Sequence, residues 1–380
     1  MKKKNILVII CCILFFVSCE KEKIIEVYKT KTYKWNSHPA FQYDNSILLN
    51  SISLDSSFMA FSGTNFFSKV GFIVDFGSYD SIFEDNFIKQ YNSDIKPINR
   101  KIPITSQITI AYQETDPEVG KVNFISTTNY GSANSYLTYL YMGEIDTTFI
   151  GFSFDRPTWN DCIAINNNGQ ALIPYKSLPE GEFQLRLLLV NTHQTGNSMY
   201  PTEILGTKII KIEDEYENSV NYLQSINDIF FVTTDSKTYV INSEGNFAEK
   251  FDDYHLYSII PKNGTLYAFG YDFKLKQHEF IHSTNNGMLW NKISTSDAEI
   301  SYLNFTEIKN NIIGYWRSQI WQFTLNNDGY SVVELDNDGL VGKIITSMAE
   351  YKEKVYATTY SGLFYQDVDN LFKLKETENN

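Results

Sequence analysis

The last third of the chain repeats itself, and that repetition restricts the available folds more than any other feature. From about residue 219 one pattern returns four times: a polar turn, a strand, a second strand, a Gly or Asn turn and a further strand. The strands after the first turns read Ile229-Phe230-Phe231-Val232, Leu266-Tyr267-Ala268-Phe269, Ile312-Ile313-Gly314-Tyr315 and Val355-Tyr356-Ala357-Thr358. Their first residues are 37, 46 and 43 positions apart, close to the roughly 40–45 of a propeller blade. Ahead of them stand Asn227-Asp228, Lys262-Asn263-Gly264, Lys309-Asn310-Asn311 and Lys352-Glu353-Lys354. The strands that follow are 238–241, 279–282, 320–324 and 363–366. Next come the turns Glu244-Gly245, Asn286-Gly287, Asp328-Gly329 and Asp369-Asn370, each predicted to lead into a fourth strand.

A small sheet with two apolar faces cannot cover both by itself, so neighbours must stand against it in a closed ring. The pattern therefore predicts an all-β fold, a β-propeller of four-stranded blades. At roughly 40–45 residues each, the span 36–375 holds about seven or eight blades. The 27 Phe and 26 Tyr suit face-to-face packing, so most of them are assigned to the core. Before residue 219 the signal is weaker. Ile47 to Leu54, a turn at 55–57 and Phe58 to Phe61 read as the first two strands of a blade. Phe149 to Phe154, Cys162 to Ile165 and Ala171 to Tyr175 read as the last three. Phe183 to Val190 and Ile204 to Ile212 are strand candidates, and 75–91 reads as a short helix or long loop. With no Pro/Gly/Ser linker, one ring is favoured over an N-terminal sandwich joined to a four-blade unit. Ile24 to Trp35 is a candidate strand for completing the last blade, or a tether.

Ser283-Thr284-Asn285-Asn286-Gly287-Met288-Leu289-Trp290 marks the tip of one unit. Asn286-Gly287 tolerates positive φ, Ser283 and Asn285 can bond their own loop, and Trp290 can anchor it. The spacing of Ser283, Asn285, Gly287 and Trp290 resembles the Asp-box (BNR repeat), with Asn285 in place of the usual Asp. The resemblance implies a structural fold-back between the last two strands of a blade, and no catalysis. It also prompts a test for sialidase chemistry, which uses three arginines on the substrate carboxylate. This chain has Arg100, Arg156, Arg186 and Arg317 alone, and Phe154-Asp155-Arg156-Pro157 does not reproduce the family's arginine motif.

The N-terminus carries an address. Lys2-Lys3-Lys4, an apolar run from Ile6 to Val17 and Ser18-Cys19 form a charged region, a short hydrophobic region and a small residue before a cut. The run falls well short of the roughly 20 residues that span a bilayer, which weakens a retained transmembrane helix. Phe16-Val17-Ser18-Cys19 resembles a bacterial lipobox, with Phe16 where Leu is favoured. The resemblance implies a signal peptide over 1–18, lipidation at Cys19 and a membrane partner held through acyl chains. Ordinary secretion, with Cys19 incidental, is the alternative. Glu20-Lys21-Glu22-Lys23 resembles signals that send lipoproteins to the cell surface, or is a solvated tether. The expected organisation is signal 1–18, lipidated tether 19–35, propeller 36–375 and tail 376–380, in the outer membrane.

Formal charge is −13, and loss of the three lysines makes the mature chain more acidic, which excludes nucleic acid as a partner. Of Cys11, Cys12, Cys19 and Cys162, the last alone remains unmodified after processing, so no intrachain disulfide can form and stability must come from burial. Cys162 reads as a small buried residue. His278 and His282 fall on one face of a predicted strand, which favours strand-face residues over zinc ligands. Glu334-Leu335-Asp336-Asn337-Asp338-Gly339 starts like a calcium loop, but Ile345 stands where the bidentate Glu is needed. No phosphate loop, catalytic triad or zinc-protease motif is present, and no cofactor is expected. The expected role is a binding or scaffold module for a glycan, peptide or partner protein. The alternatives are a glycan-acting hydrolase with acidic residues in the channel, and a structural subunit of an envelope complex.

Overall fold

The structure is a computed structural model. It describes residues 35–38, 46–54, 58–65, 71–75, 88–92, 95–97, 108–113, 120–126, 138–153, 163–194, 202–213, 219–326 and 329–374. The signal segment, Cys19, the tether except Trp35, Arg100, Arg156, Cys162, Asp328 and the 376–380 tail lie outside these residues. No helix among the described residues is long and apolar enough to cross a membrane.

Every paired strand runs antiparallel, and the described residues form seven sheets of four or more strands. The first holds Ser46–Leu54, Phe58–Asn65, Gly71–Asp75 and Ile88–Asn92; the second holds Ile95–Pro97, Ile108–Gln113, Lys121–Ser126 and Thr138–Tyr141. Side chains are described throughout the other five, apart from Gln194 at one strand end. The third contains Phe149–Phe152, Ala164–Ile165, Gln170–Ser177, Gln184–Gln194 and Thr202–Lys211. The fourth contains Tyr222–Ile226, Ile229–Thr233, Lys237–Ile241 and Phe247–Asp252. The fifth is Tyr254–Lys262, Thr265–Asp272, Gln277–Ser283 and Asn291–Thr295, and the sixth Asn304–Ile308, Asn311–Trp316, Gln319–Asn326 and Gly329–Glu334. The seventh takes Ile345–Tyr351, Lys354–Thr359 and Gly362–Asp367 from the C-terminal end, and Asn36–Ser37 from the other. First strands of the fourth to seventh sheets pack on one another in sequence, and the first strand of the first sheet packs on that of the seventh. The fold is an all-β β-propeller with four-stranded blades.

The expected second and third strands of the four repeats all lie inside observed strands. Two readings are corrected. Asp369-Asn370 does not lead to a fourth strand: Val368–Leu371 is a short helix, and Asn36–Ser37 fills the fourth place by pairing with Tyr365 and Phe364. In the third sheet, Phe149–Phe152 and Ala164–Ile165 both pair with Gln170–Ser177. They are two pieces of one interrupted first strand, so 149–175 supplies the first two strands and not the last three. The 75–91 region ends one strand at Asp75 and holds another over Ile88–Asn92.

Cores form where sheets meet. Tyr222, Phe231, Leu256, Ile259, Ala268 and Ile281 pack between the fourth and fifth sheets, and Phe269, Phe280, Leu303, Phe305 and Phe323 between the fifth and sixth. Hairpin turns fix the register. Asn263-Gly264, Lys309-Asn310 and Lys352-Glu353 all have positive φ at both central positions, as the twist of a two-residue hairpin demands. Lys352 (φ 45) and Glu353 (φ 64) have no intrinsic preference for that region. Replacing the pair with Asn-Gly is expected to stabilise the protein by about 1–2 kcal/mol, read as a higher urea midpoint at unchanged slope.

Candidate functional site

In a four-stranded meander the first-to-second and third-to-fourth links leave at one end. The second-to-third links, and the links to the next sheet, leave at the other. At this second end the fifth sheet carries a group of rings. His255 and Tyr257 lie near the start of its first strand, Tyr271 near the end of its second, Phe273 in the second-to-third link, His278 near the start of its third, and Tyr302 in the link to the sixth sheet. Ring centroids are 4.6 Å apart for His255–Phe273, 5.0 Å for Tyr271–Phe273, 4.9 Å for Tyr271–His278, 6.1 Å for Tyr257–His278 and 4.9 Å for Tyr257–Tyr302. Phe273 is 38% exposed and Tyr302 49%.

Local structure explains the grouping. Leu256 faces Gly270 and Ser258 faces Phe269, which leaves Tyr257 as the extra residue of a bulge. Bulges re-aim a side chain. A Cβ on Gly270 would stand 2.5 Å from the Tyr254 ring, so only glycine admits that ring beneath the group. Tyr271 pairs across with His255 on one side and His278 on the other. Phe269 and Phe280 continue the same row of rings down into the core, so the patch is where a buried aromatic seam reaches the surface.

The polar atoms have definite states. His255 Nε2 lies 2.7 Å from the Asp235 carbonyl, which can only accept, so this nitrogen carries the proton. Burial pushes His278 below the usual imidazole range, which keeps it neutral at pH 7, and its Nδ1 is buried without a partner. Burial, then the hydrogen bond with Tyr302, raises the Tyr257 hydroxyl, so it stays protonated. Below the patch, Tyr254 donates to Glu279 (3.2 Å), while Lys292 (2.6 Å) and Gln277 (2.8 Å) occupy the other Glu279 oxygen.

The second buried carboxylate at this end is Asp146, in the link that enters the third sheet. Its Oδ2 accepts from Tyr175 (2.7 Å) and Arg186 (2.6 Å), and its Oδ1 from the Thr148 amide (3.0 Å) and hydroxyl (2.6 Å). Burial pushes this acid up, but the Thr148, Tyr175 and Arg186 hydrogen bonds outweigh it and bring it to about 2. Arg186 is thus buried and paired. Arg317 lies in the sixth sheet's second-to-third link, 5.8 Å over the Trp316 ring. Both oxygens of Asp146 and both of Glu279 thus accept hydrogen bonds from side chains or backbone.

The Ser283 to Trp290 loop lies at the opposite end of the fifth sheet, roughly 20 Å away along its strands. Ser283 Oγ donates to Asn285 Oδ1 (2.8 Å) and accepts from the Gly287 amide (2.9 Å); Asn285 Oδ1 accepts from the Leu289 amide (2.9 Å). Trp290 meets Phe231 of the fourth sheet edge-on at 6.4 Å. Gly287 has φ 83, and a Cβ there would fall 2.4 Å from the Phe231 ring. Gly287→Ala is expected to cost about 2–4 kcal/mol in urea unfolding, from left-handed backbone strain and the clash together.

No group of His, Cys, Asp and Glu able to hold a metal occurs among the described residues. His278 and His282 do lie on one strand face, opposite Tyr271 and Tyr267. The 335–344 segment, which begins like a calcium loop, is the link between the sixth and seventh sheets. Asp336 Oδ1 there accepts the Asp338 amide at 2.8 Å. The sequence assigns most aromatics to the core and does not single out this ring patch. The available signal was the row of Tyr and His at strand ends, next to turns.

No protein-family model matches this chain, and no curated protein matches it. Solved structures do. A prolyl endopeptidase aligns with a TM-score of 0.50 at 9% identity, over 86% of this chain and 50% of that one, so this chain spans about half its length. An oligogalacturonate lyase from Vibrio parahaemolyticus aligns with a TM-score of 0.50 at 9% identity, over 89% of this chain and 94% of that one. The propeller domain of the Trilobed protease from Pyrococcus furiosus aligns at 0.48 and 10%, over 88% and 99%. At such identities the likeness is to the β-propeller fold alone.

Proposed function

We propose that this chain is a lipid-anchored envelope protein whose seven sheets are the blades of one ring, and that it works as a binding module. The observation that carries the binding role is the half-exposed ring patch at the end where second-to-third and inter-blade links gather. Ligands of propellers bind among such loops. A glycan, peptide or partner protein is the ligand class, and the acidic surface argues against nucleic acid. Hydrolysis of glycosides needs two carboxylates about 5–10 Å apart with room to exchange protons. Among the described residues the two buried acids, Asp146 and Glu279, are saturated by donors, which favours binding over hydrolysis.

The lipid anchor is supported by the run that ends in Phe16-Val17-Ser18-Cys19, and outer-membrane or surface placement by the charged residues after it. The bonds of Ser283, Asn285 and Gly287 suit an Asp-box fold-back. Replacing Cys19 with Ala is expected to move the protein from the membrane pellet to the soluble fraction, and retention in the pellet refutes the anchor. Digestion by protease added to intact cells tests surface display. Glycan and peptide arrays probed with the mature chain test the binding role, which falls if no hit depends on the patch.

A further inference from the structure

We infer that the ring patch takes an uncharged saccharide, an assignment that rests on the binding role above. Four observations converge. First, Tyr302 and Phe273 expose ring surface of the kind on which the C–H face of a sugar packs. Second, the patch alternates apolar rings with the hydroxyls of Tyr257, Tyr271 and Tyr302 and the imidazole of His278, so donors and acceptors border the stacking surface. Third, a buried polar atom is left over. His278 Nδ1 has no partner, and its ring meets Tyr302 edge-on at 5.7 Å, so an unsatisfied polar group lies within the patch. Fourth, the charge is wrong for an acidic ligand. The chain carries −13, and Lys274, on the turn after Phe273, is engaged by Asp253 at 3.3 Å.

A proline-rich peptide is a poorer fit. Such segments lie in grooves between parallel aromatic ridges. Here only Tyr257 and His278 lie near parallel, at 27°, while the exposed rings are crossed by their neighbours: His255 and Phe273 meet at 85°, Tyr271 and Phe273 at 87°, and His278 and Tyr302 at 70°.

The test is calorimetric titration of the mature full chain with cellohexaose, maltohexaose, xylohexaose and laminarihexaose. Trigalacturonate and a proline-rich decapeptide serve as comparators. At least one neutral hexasaccharide is expected to bind, and Tyr302→Ala and Phe273→Ala should each weaken it by about tenfold or more. Tyr302→Phe should retain most of the affinity, since the stacking face survives. Both rings are well exposed, so unchanged thermal midpoints will show that the variants fold. If only the peptide binds, and Tyr302→Ala abolishes it, the saccharide assignment falls while the binding face stands. Preference for trigalacturonate likewise overturns the uncharged ligand. If no probe responds to either substitution, both the assignment and the binding face fall.

Discussion

Replacing Trp35 with alanine is expected to destabilise the protein by about 3–5 kcal/mol, the cost typical of emptying a large aromatic site in a core. Trp35 is 1% exposed and sits in a cluster with Ile308, Leu335, Leu340, Val368 and Leu371. Its amide donates to the Asp338 carbonyl at 2.9 Å, and its indole nitrogen is buried without a partner. The side chain therefore contributes through packing and not through a hydrogen bond. Trp35→Phe, which keeps an aromatic ring and removes the unsatisfied nitrogen, should cost much less, about 1–2 kcal/mol. The effect reaches beyond the cavity because Trp35 precedes the two-residue strand that completes the seventh sheet. Asn36 and Ser37 are exposed and supply little burial of their own. If that strand detaches, Gly362–Asp367 becomes a free edge able to pair with another chain. Urea unfolding should show the lower midpoint for Trp35→Ala, and size-exclusion chromatography should show increased self-association. A loss below about 1 kcal/mol would mean the N-terminal strand does not secure the ring.

Much of the fold was legible because each of four repeats joins an apolar strand to a turn of fixed chemistry. Ile229, Leu266, Ile312 and Val355 all fall at the start of observed second strands, since the turns before them leave one register for the hairpin. Reading failed where pairing is not local. The sequence places a candidate closing strand over Ile24 to Trp35, but the pairing falls on Asn36–Ser37, which is polar, two residues long and more than 300 positions from its partner strand, so no periodic pattern marks its position. The interrupted first strand of the third sheet reads as two strands because Phe149–Phe152 and Ala164–Ile165 are separate in sequence and aligned only in space. The ring patch is illegible for the same reason. It gathers three strands and an inter-sheet link, and Tyr257 reaches it through a bulge that no alternation pattern encodes. The Ser283 to Trp290 loop was legible because its bonds span only a few residues.

Arg186→Met alone is expected to cost about 3–5 kcal/mol, because it strands a buried carboxylate. The Asp146 and Arg186 side chains are 5% and 9% exposed and 2.6 Å apart, so solvent screens the pair little. Arg186 Nε is held by Gln184 at 2.7 Å, which orients the guanidinium before Asp146 is counted. With both charges removed in Asp146→Asn, Arg186→Met, neither is left uncompensated. The double variant should therefore lose clearly less than the two single losses added together. Strict additivity would show that the two groups do not act as a unit. The pH dependence gives an independent reading. Hydrogen bonds hold Asp146 at about 2 in the folded protein, against roughly 3.9 unfolded, so its contribution of about 2–3 kcal/mol is fully present above the unfolded value. It is lost as pH falls from about 4 through 2, where protonation favours the unfolded chain. In Asp146→Asn this part of the acid limb should vanish, so that stability falls less steeply between about pH 4 and 2 than in the parent. Tyr175 sharpens the assignment: burial and the neighbouring Asp146 charge keep its hydroxyl protonated, so it remains a donor across the whole range. Any flattening of the acid limb in Asp146→Asn therefore reports the carboxylate itself. An unchanged limb would mean that Asp146 is no better stabilised in the ring than in the unfolded chain.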